Sequence, residues 1–171
     1  MFFKLALALL LFASPQQLED AFVGAKAPEL KPDKTWINSA PLTLEQLRGK
    51  VVLIEFWAWD CPFCAEAMPH IKEFYDKYAK SGLVILGIHT PRIEYEKDIP
   101  KVKEAVANKG IKYPVVIDND YEMWTDYACA VWPSVYVLDQ DGVIQLSHSG
   151  TGRYDDIEQV IQKLLSKNSA K

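Results

Sequence analysis

The strongest constraint on the fold is an almost entirely apolar run at residues 51–57, followed four positions later by the first member of the pair Cys61 and Cys64. A continuous apolar run of this length is typical of a strand that is buried on both faces of a sheet. A second such run lies at residues 83–88, and residues 62–80 between the two have the pattern of a helix. Strand, helix and strand over this length predict a βαβ unit whose two strands are parallel neighbours.

The rest of the chain predicts one α/β domain. With 171 residues, the chain can bury one full core but is short for two. The predicted fold is a central mixed sheet with helices on both faces, spanning residues 28–166 and followed by a polar tail at 167–171. The remaining predicted elements are a helical turn at 44–47 capped by Thr43, helices at 100–108, 122–129 and 155–165, a strand at 115–117, and antiparallel strands at 134–138 and 143–147.

Residues 1–14 have the pattern of a secretory signal peptide. Lys4 precedes an unbroken apolar stretch at residues 5–13. This length fits the ~7–15 residues of a signal h-region and falls short of the ~20 that cross a bilayer. We therefore expect export to the periplasm or another extracytoplasmic space. No clear small-x-small cleavage site follows the stretch, so an uncleaved membrane anchor or a buried helix stays open.

The composition argues against two classes of protein. The net charge is -4 and the 19 Lys and Arg are scattered, which argues against a nucleic-acid-binding protein. Three cysteines are too few for a fold held together by disulfides. Export would nevertheless place the cysteine pair where disulfides persist, and where proteins that exchange them have substrates.

The position of the C-x-x-C motif predicts its chemistry. Cys61-Pro62-Phe63-Cys64 directly follows the predicted buried strand and begins the predicted helix. A thiol at a helix N-terminus faces unpaired backbone N–H groups and the positive end of the dipole, which stabilise its thiolate. We therefore predict that Cys61 is the nucleophile and that Cys64, one turn further along, resolves the mixed disulfide. Pro62 suits this first turn because its missing N–H would have no helical partner.

Three other interpretations of the pair explain less. A structural disulfide gives no reason for both cysteines to lie at a strand-to-helix junction. A zinc site needs four ligands, and the sequence has neither a second C-x-x-C nor an H-x-x-x-H. Haem attachment requires histidine at the position where Ala65 stands.

Several separated motifs, in one order along the chain, resemble those of the thioredoxin superfamily. These motifs are Phe56-Trp57-Ala58, Cys61-Pro62-Phe63-Cys64, Pro69 and Trp132-Pro133-Ser134. Residues 42–50 before the core strand are similar to the same region of TlpA-like members. Four further segments of this chain are similar to the DipZ-like branch: residues 87–91, 95–98, 113–115 and 118–121. The resemblance runs over residues 28–165.

This resemblance implies a thiol–disulfide oxidoreductase that acts as a monomer on protein thiols and disulfides and is served by an unidentified electron-transfer partner. No metal is expected, and no cofactor beyond a redox-active disulfide between Cys61 and Cys64. The resemblance also implies that Pro133 is a cis-proline facing the pair. The backbone of Trp132 would then be free to pair with an extended substrate segment.

Further residues near the pair are candidates for supporting roles. Trp59 and Phe63 flank the nucleophile and are predicted to contact substrate. His89 ends the neighbouring strand at the same sheet edge, where it either contacts substrate, tunes the nucleophile or caps a loop. Asp60 stands where members commonly carry tryptophan, and its charge either opposes thiolate formation or is solvated. Cys129 is expected to be a buried, inert thiol.

Glu55 is an ionisable residue in the middle of the most apolar strand. Its place six residues before Cys61 resembles that of the buried acid of thioredoxins. Desolvation should raise its pKa toward neutrality, which suits a general base that takes the Cys64 proton through a water molecule. A strand-edge glutamate that faces solvent is the alternative.

We expect the reductive direction of exchange, and three alternatives stay open. One is an oxidase that donates its disulfide, because spacing does not reveal a reduction potential. Another is a peroxiredoxin-like peroxidase, although Ala58 stands where that class needs threonine or serine. The third is a non-catalytic module that binds copper or a partner through the two cysteines and His89.

Overall fold

The apolar run Val51–Trp57 forms a fully buried strand within a six-stranded sheet in the computed structural model, which describes residues 22–167. The strands are β1 (Trp36–Ile37), β2 (Val51–Trp57), β3 (Leu83–His89), β4 (Val115–Ile117), β5 (Ser134–Leu138) and β6 (Ile144–Ser149), and the helices are α1 (Pro62–Tyr78), α2 (Ile99–Asn108), α3 (Glu122–Asp126) and α4 (Tyr154–Ser166). The predicted signal segment at 1–14 and most of the predicted tail at 167–171 lie outside the described residues.

The strand pairing confirms the predicted mixed sheet. The order is β1-β4-β3-β2-β5-β6. Strands β2, β3 and β4 run parallel, whereas β1, β5 and β6 are each antiparallel to their neighbours. Because β2 and β3 pair in register up to Trp57 and His89, both strands end side by side at one edge. The loop that carries the cysteines begins at this edge.

Alternate residues of β2 face two apolar clusters, one on each side of the sheet. One cluster joins Val51, Leu53 and Trp57 to buried residues of α1 and α4, and the other joins Val52, Ile54 and Phe56 to Met123 of α3. The predicted helices on both faces are therefore confirmed. Strand alternation places Glu55 on the face of Leu53 and Trp57, which is also the face of both cysteines.

Several element boundaries differ from the prediction. Residues 44–47 form a turn with i→i+3 bonds, although Thr43 and Gln46 accept each other's backbone N–H at 3.3 and 2.9 Å, as at a helix start. Helix α3 ends at Asp126 rather than residue 129, because Ala128 adopts a left-handed φ of 47°. Helix α1 ends at Tyr78, where a 3₁₀ turn follows. Strand β6 lies at 144–149 instead of 143–147.

Gly87 on β3 lies beside Glu55 in the strand register. A Cβ atom at this glycine would lie 3.0 Å from Trp57 Nε1 and 3.3 Å from both Tyr113 Cε2 and Val115 Cγ2. Packing therefore favours glycine here. The missing side chain leaves room for Trp57 and for Tyr113, whose hydroxyl group donates to the carboxyl group of Glu55.

Replacing Gly87 with valine should destabilise the fold. The added methyl groups would overlap Trp57 and Tyr113, and overpacking of this kind costs ~1–3 kcal/mol. Gly87→Ala should cost less, because its reduced flexibility in the unfolded chain offsets ~0.4–1 kcal/mol. Urea denaturation with an unchanged slope measures both. A valine variant as stable as the wild type would contradict this account of the packing.

Candidate active site

Cys61 is the N-cap residue of α1, at the strand-to-helix junction that the sequence predicted. Its Sγ accepts a hydrogen bond from the backbone N–H of Cys64 at 3.3 Å, and Pro62 occupies the first turn. A sulfur in this position faces the positive end of the helix dipole and a backbone donor, both of which favour its anionic form. The geometry therefore equips Cys61 to act as a nucleophile.

The surroundings of Cys64 favour the protonated thiol rather than the thiolate. Both cysteines are free thiols, with 2% and 1% of their surfaces exposed. Burial raises the pKa of Cys64 strongly, and the hydrogen bond with Cys61 adds to this shift. A thiol that stays protonated across the working range needs a base before it can attack a mixed disulfide.

Glu55 is fully buried and does not face solvent, which decides between the two interpretations of the sequence. Tyr113 donates its hydroxyl hydrogen to Glu55 Oε2 at 3.4 Å, and Oε1 has no partner among residues 22–167. Burial raises the pKa of Glu55 to about 8, and the Tyr113 hydrogen bond offsets only part of that effect. This is the shift toward neutrality that the sequence predicted. The negative field of Glu55 also contributes to the raised pKa of Cys64.

His89 is fully buried, so it does not present its ring to a substrate. Its Nε2 accepts a hydrogen bond from the backbone N–H of Trp59 at 3.3 Å. Burial lowers the pKa of His89 to about 4, so the ring is neutral near pH 7. Of the three predicted roles, its geometry matches the one that holds a loop, here the segment leading to the nucleophile.

The peptide bond between Trp132 and Pro133 is cis, as the resemblance implied. Trp132 donates its indole N–H to the carbonyl oxygen of Thr90 at 2.9 Å and stacks on Trp124 with the ring centroids 3.9 Å apart. Among residues 22–167, no hydrogen bond involves the backbone groups of Trp132. The sequence predicted the proline but neither the stacking partner nor the link to Thr90.

Trp59 and Phe63 differ in what they offer a substrate. Phe63 is 60% exposed, the largest exposure among the large hydrophobic side chains of residues 22–167. Trp59 is half-buried, and its ring meets Tyr95 edge-on with the centroids 5.5 Å apart. The predicted contact with substrate therefore suits Phe63 better than Trp59.

The sequence did not predict a network of charged groups that lies against the loop before Cys61. Arg92 pairs with the fully buried carboxylate of Glu96 and also donates to the backbone carbonyl of Asp60 at 2.7 Å. The hydroxyl group of Tyr95 donates to the carboxylate of Asp60. Asp60 therefore has a hydrogen-bond donor in Tyr95, and the positive charge of Arg92 lies close to its backbone. The available signal was an arginine four positions before a glutamate, but Glu96 lies in a 3₁₀ turn, Glu94–Lys97, that is too short to predict.

Cys129 lies apart from the reactive pair, on the other side of the sheet. It is partly rather than fully buried, and its sulfur is 3.6 Å from the Tyr136 hydroxyl oxygen. Burial raises its pKa to about 12, which the side chains of Tyr136 and Ser134 partly offset. Its thiol therefore stays protonated near neutral pH.

Residues 22–167 contain neither a candidate membrane-spanning helix nor a candidate metal site. No helix there is long and apolar enough to cross a membrane. No group of three or more His, Cys, Asp and Glu side chains in the same part of the chain could hold a metal ion.

Comparison with known proteins agrees with this geometry. A family model described as Redoxin matches residues 22–161. Protein DipZ of Mycobacterium bovis is 42% identical over 143 residues, which cover 82% of this chain and 21% of DipZ. The thiol-disulfide oxidoreductase YkuV of Bacillus subtilis is 35% identical over 141 residues, which cover 82% of this chain and 94% of YkuV. The chain thus spans about a fifth of the length of the first curated relatives it matches.

Solved structures confirm the thioredoxin-like fold. The solution structure of a thioredoxin-like protein in the oxidized form is 34% identical, covers 83% of this chain and 95% of its own, and superposes with a TM-score of 0.74. The resemblance to thioredoxin-like and DipZ-like proteins that the sequence motifs indicated is therefore confirmed.

Glu55→Gln should stabilise the protein in a pH-dependent way. The folded-state pKa of about 8 lies above the ordinary 4.5, so the folded protein keeps a proton that the unfolded chain loses. Stability from this group is therefore present below about pH 4.5 and is lost as the pH rises to about 8, by at most ~1.4 kcal/mol per pH unit. The free energy of unfolding of Glu55→Gln minus that of the wild type should grow across this window and then level off.

Chemical denaturation at pH values from 5 to 9 measures this difference. Glu66→Gln makes the same chemical change at an exposed position of α1 and is the matched control. If the Glu55→Gln difference were independent of pH, like that of the control, Glu55 would not be a buried acid with a raised pKa.

Proposed function

The chain belongs to the Redoxin family, and we propose that it is a thiol–disulfide oxidoreductase that reduces disulfide bonds of other proteins. The observation that carries this proposal is the unequal pair at the start of α1. Cys61 has a backbone N–H donor and the helix dipole at its sulfur, whereas Cys64 is buried and protonated. An attacking thiol and a delayed resolving thiol need these two environments.

The reaction has two steps. The Cys61 thiolate attacks one sulfur of a substrate disulfide, the substrate S–S bond breaks, and the departing sulfur takes a proton. Cys64 then gives its proton to the Glu55 carboxylate through a water molecule and attacks Cys61 Sγ. The bond between Cys61 and the substrate breaks, and the second substrate sulfur leaves as a thiolate that takes a proton from water. The substrate gains two electrons, and Cys61 and Cys64 become a disulfide. A dithiol protein of the same chemistry must reduce this disulfide, so the cysteines carry the electrons without a further cofactor.

Burial of the cysteine pair favours the reductive direction. A strong oxidant needs a reduced form that is stabilised, usually as a thiolate. Here Cys64 is buried as a neutral thiol, and negative charge on Glu55 would raise the pKa of Cys64 further. These features disfavour a second thiolate and so favour the disulfide form, which makes the dithiol a good electron donor.

The surface around Cys61 supports a protein as the substrate. The large hydrophobic side chains of residues 22–167 that are more than 40% exposed include Phe63, Ile93, Tyr95 and Val131. Phe63 lies between the two cysteines in the sequence, and the Tyr95 hydroxyl contacts Asp60, which precedes Cys61. An apolar surface of this kind fits an extended protein segment, and the backbone of Trp132 has unpaired groups that could pair with it.

The proposal also covers location and assembly. We propose that the chain acts as a monomer outside the cytoplasm, where protein disulfides persist. The signal-like pattern of residues 1–14 supports export.

Trapping with Cys64→Ser should accumulate mixed disulfides through Cys61, because attack proceeds but resolution cannot. Insulin serves as the protein-disulfide probe, and mass spectrometry identifies the linked cysteine. Cys61→Ser should trap nothing, and Cys129→Ser should reduce insulin at the wild-type rate. The oxidoreductase proposal fails if Cys61→Ser and Cys64→Ser both reduce insulin as fast as the wild type.

Glu55→Gln should slow resolution without slowing attack. Removing a general base costs ~100-fold at the lower end of its usual range, and we expect at least about a 10-fold slower release of substrate from the mixed disulfide. In the wild type this step should accelerate as the pH rises toward 8, the pKa of Glu55. Stopped-flow measurement of both steps, with Glu66→Gln as the control, tests this. Equal resolution rates in the two variants would remove Glu55 from the mechanism.

A further inference from the structure

The segment between β3 and α2 contains a carboxylate that the mechanism above does not use. Glu96 is fully buried, and its Oε1 accepts hydrogen bonds from Nε and Nη2 of Arg92 at 3.2 and 3.0 Å. Its Oε2 accepts the backbone N–H of Arg92. A buried carboxylate held by three donors fixes its partner in one geometry.

The same guanidinium group reaches the loop that carries the nucleophile. Arg92 Nη2 donates to the backbone carbonyl of Asp60 at 2.7 Å, and Asp60 immediately precedes Cys61. Nη2 of Arg92 is thus shared between the Glu96 carboxylate and the loop before Cys61. Glu96 reduces the positive potential that Arg92 produces at Cys61, and it would cancel that potential only if both charges were equally far from the sulfur.

We propose that Arg92 is a positioning residue that fixes the loop before Cys61 and holds a positive charge beside the Cys61 sulfur. This inference rests on the proposed function, in which Cys61 is the attacking thiol. The positive charge favours the Cys61 thiolate and offsets the carboxylate of Asp60 next to it. Glu96 acts through Arg92, as its anchor.

The electrostatics of Arg92 agree with this placement. Burial alone would lower the pKa of Arg92, but Glu96 raises it, and negative charge on Cys61 and Cys64 adds to the increase. The interaction is mutual, so a guanidinium that is stabilised by these sulfurs also stabilises their anionic forms.

Other titratable groups around the pair do not supply this charge near pH 7. His89 is neutral because burial lowers its pKa to about 4, and Glu55 is largely protonated below its pKa of about 8. Asp60 contributes negative rather than positive charge, and its carboxylate accepts a hydrogen bond from the Tyr95 hydroxyl group. Lys101 and Lys109 line a groove beside Trp59 and Asp60. Lys101 is exposed and Lys109 is half-buried, and ammonium groups in such an open groove are screened by water and salt.

The test compares the alkylation of Cys61 by iodoacetamide in Arg92→Gln, Arg92→Lys and Arg48→Gln. Arg48 lies at the opposite end of β2, where it bonds Glu45 and the Asp141 carbonyl, so it controls for the loss of a charge. The rate on the Cys61 peptide is followed by mass spectrometry from pH 5 to 10. The midpoint of this profile reports the thiolate fraction, and its high-pH plateau reports access to the sulfur.

Arg92→Gln should move the midpoint upward by about 0.5–1 pH unit, which is roughly a 3- to 10-fold slower reaction near pH 7. The plateau should be nearly unchanged, and the shift should shrink in 1 M salt because the partly exposed charge of Arg92 is partly screened. Arg92→Lys should recover part of the shift, since lysine keeps the charge without the planar fork. Arg48→Gln should have the wild-type profile.

Two outcomes overturn the inference. Arg92→Gln could have the same midpoint as Arg48→Gln, or it could lower the plateau alone, which a merely structural role would produce. Failure of the proposed function looks different. In that case Cys61 of the wild type would react no faster than Cys64 or Cys129 at any pH.

Discussion

The carboxyl group of Glu55 lies inside the central strand of the sheet, where its charged form has one long hydrogen bond and no counter-ion among residues 22–167. Burying a charge in this way is unfavourable, so the group keeps its proton up to about pH 8. The residues packed around Glu55 make room for its carboxyl group. Gly87 leaves the space beside it, and Tyr113 supplies the single donor. The same face of the sheet buries Cys64, and a thiol there can lose its proton only to a neighbouring group.

The two cysteines are one helical turn apart yet have opposite electrostatic surroundings. Cys61 meets the N-terminus of α1 and the edge of the sheet, where a backbone donor and, in our proposal, Arg92 favour negative charge. Cys64 belongs to the buried core, where burial disfavours negative charge on its sulfur. This difference assigns the order of the two thiols. It also explains why a base is needed for the second step and not for the first.

Much of the fold and the reactive pair could be predicted from the sequence because their signals are local and strong. The run at 51–57 has one good interpretation as a buried strand, and Cys61 and Cys64 directly follow it. Glu55 was predictable because a charge inside such a run requires an explanation. The role of His89 was harder to predict, since the outcome depended on whether its ring turned inward onto the Trp59 backbone.

The network around Asp60 was not predictable for a physical reason. Arg92 pairs with Glu96, which lies in a short 3₁₀ turn, and also reaches the carbonyl oxygen of Asp60, more than 30 positions earlier in the chain. No periodicity marks such a contact. Strand β1 was missed for a similar reason, because its two residues exist only through pairing with β4.

The most direct test of this account is the reduction potential of the cysteine pair, measured by equilibrating the protein with thiol buffers and identifying each cysteine's state by mass spectrometry. The account predicts one two-electron transition that joins Cys61 to Cys64 while Cys129 stays a thiol. Its potential should be about −270 mV, in the range of reductive dithiols. A potential near about −120 mV, at the strongly oxidising end, would contradict the reductive assignment. A transition that involves Cys129 would contradict the assignment of the pair itself.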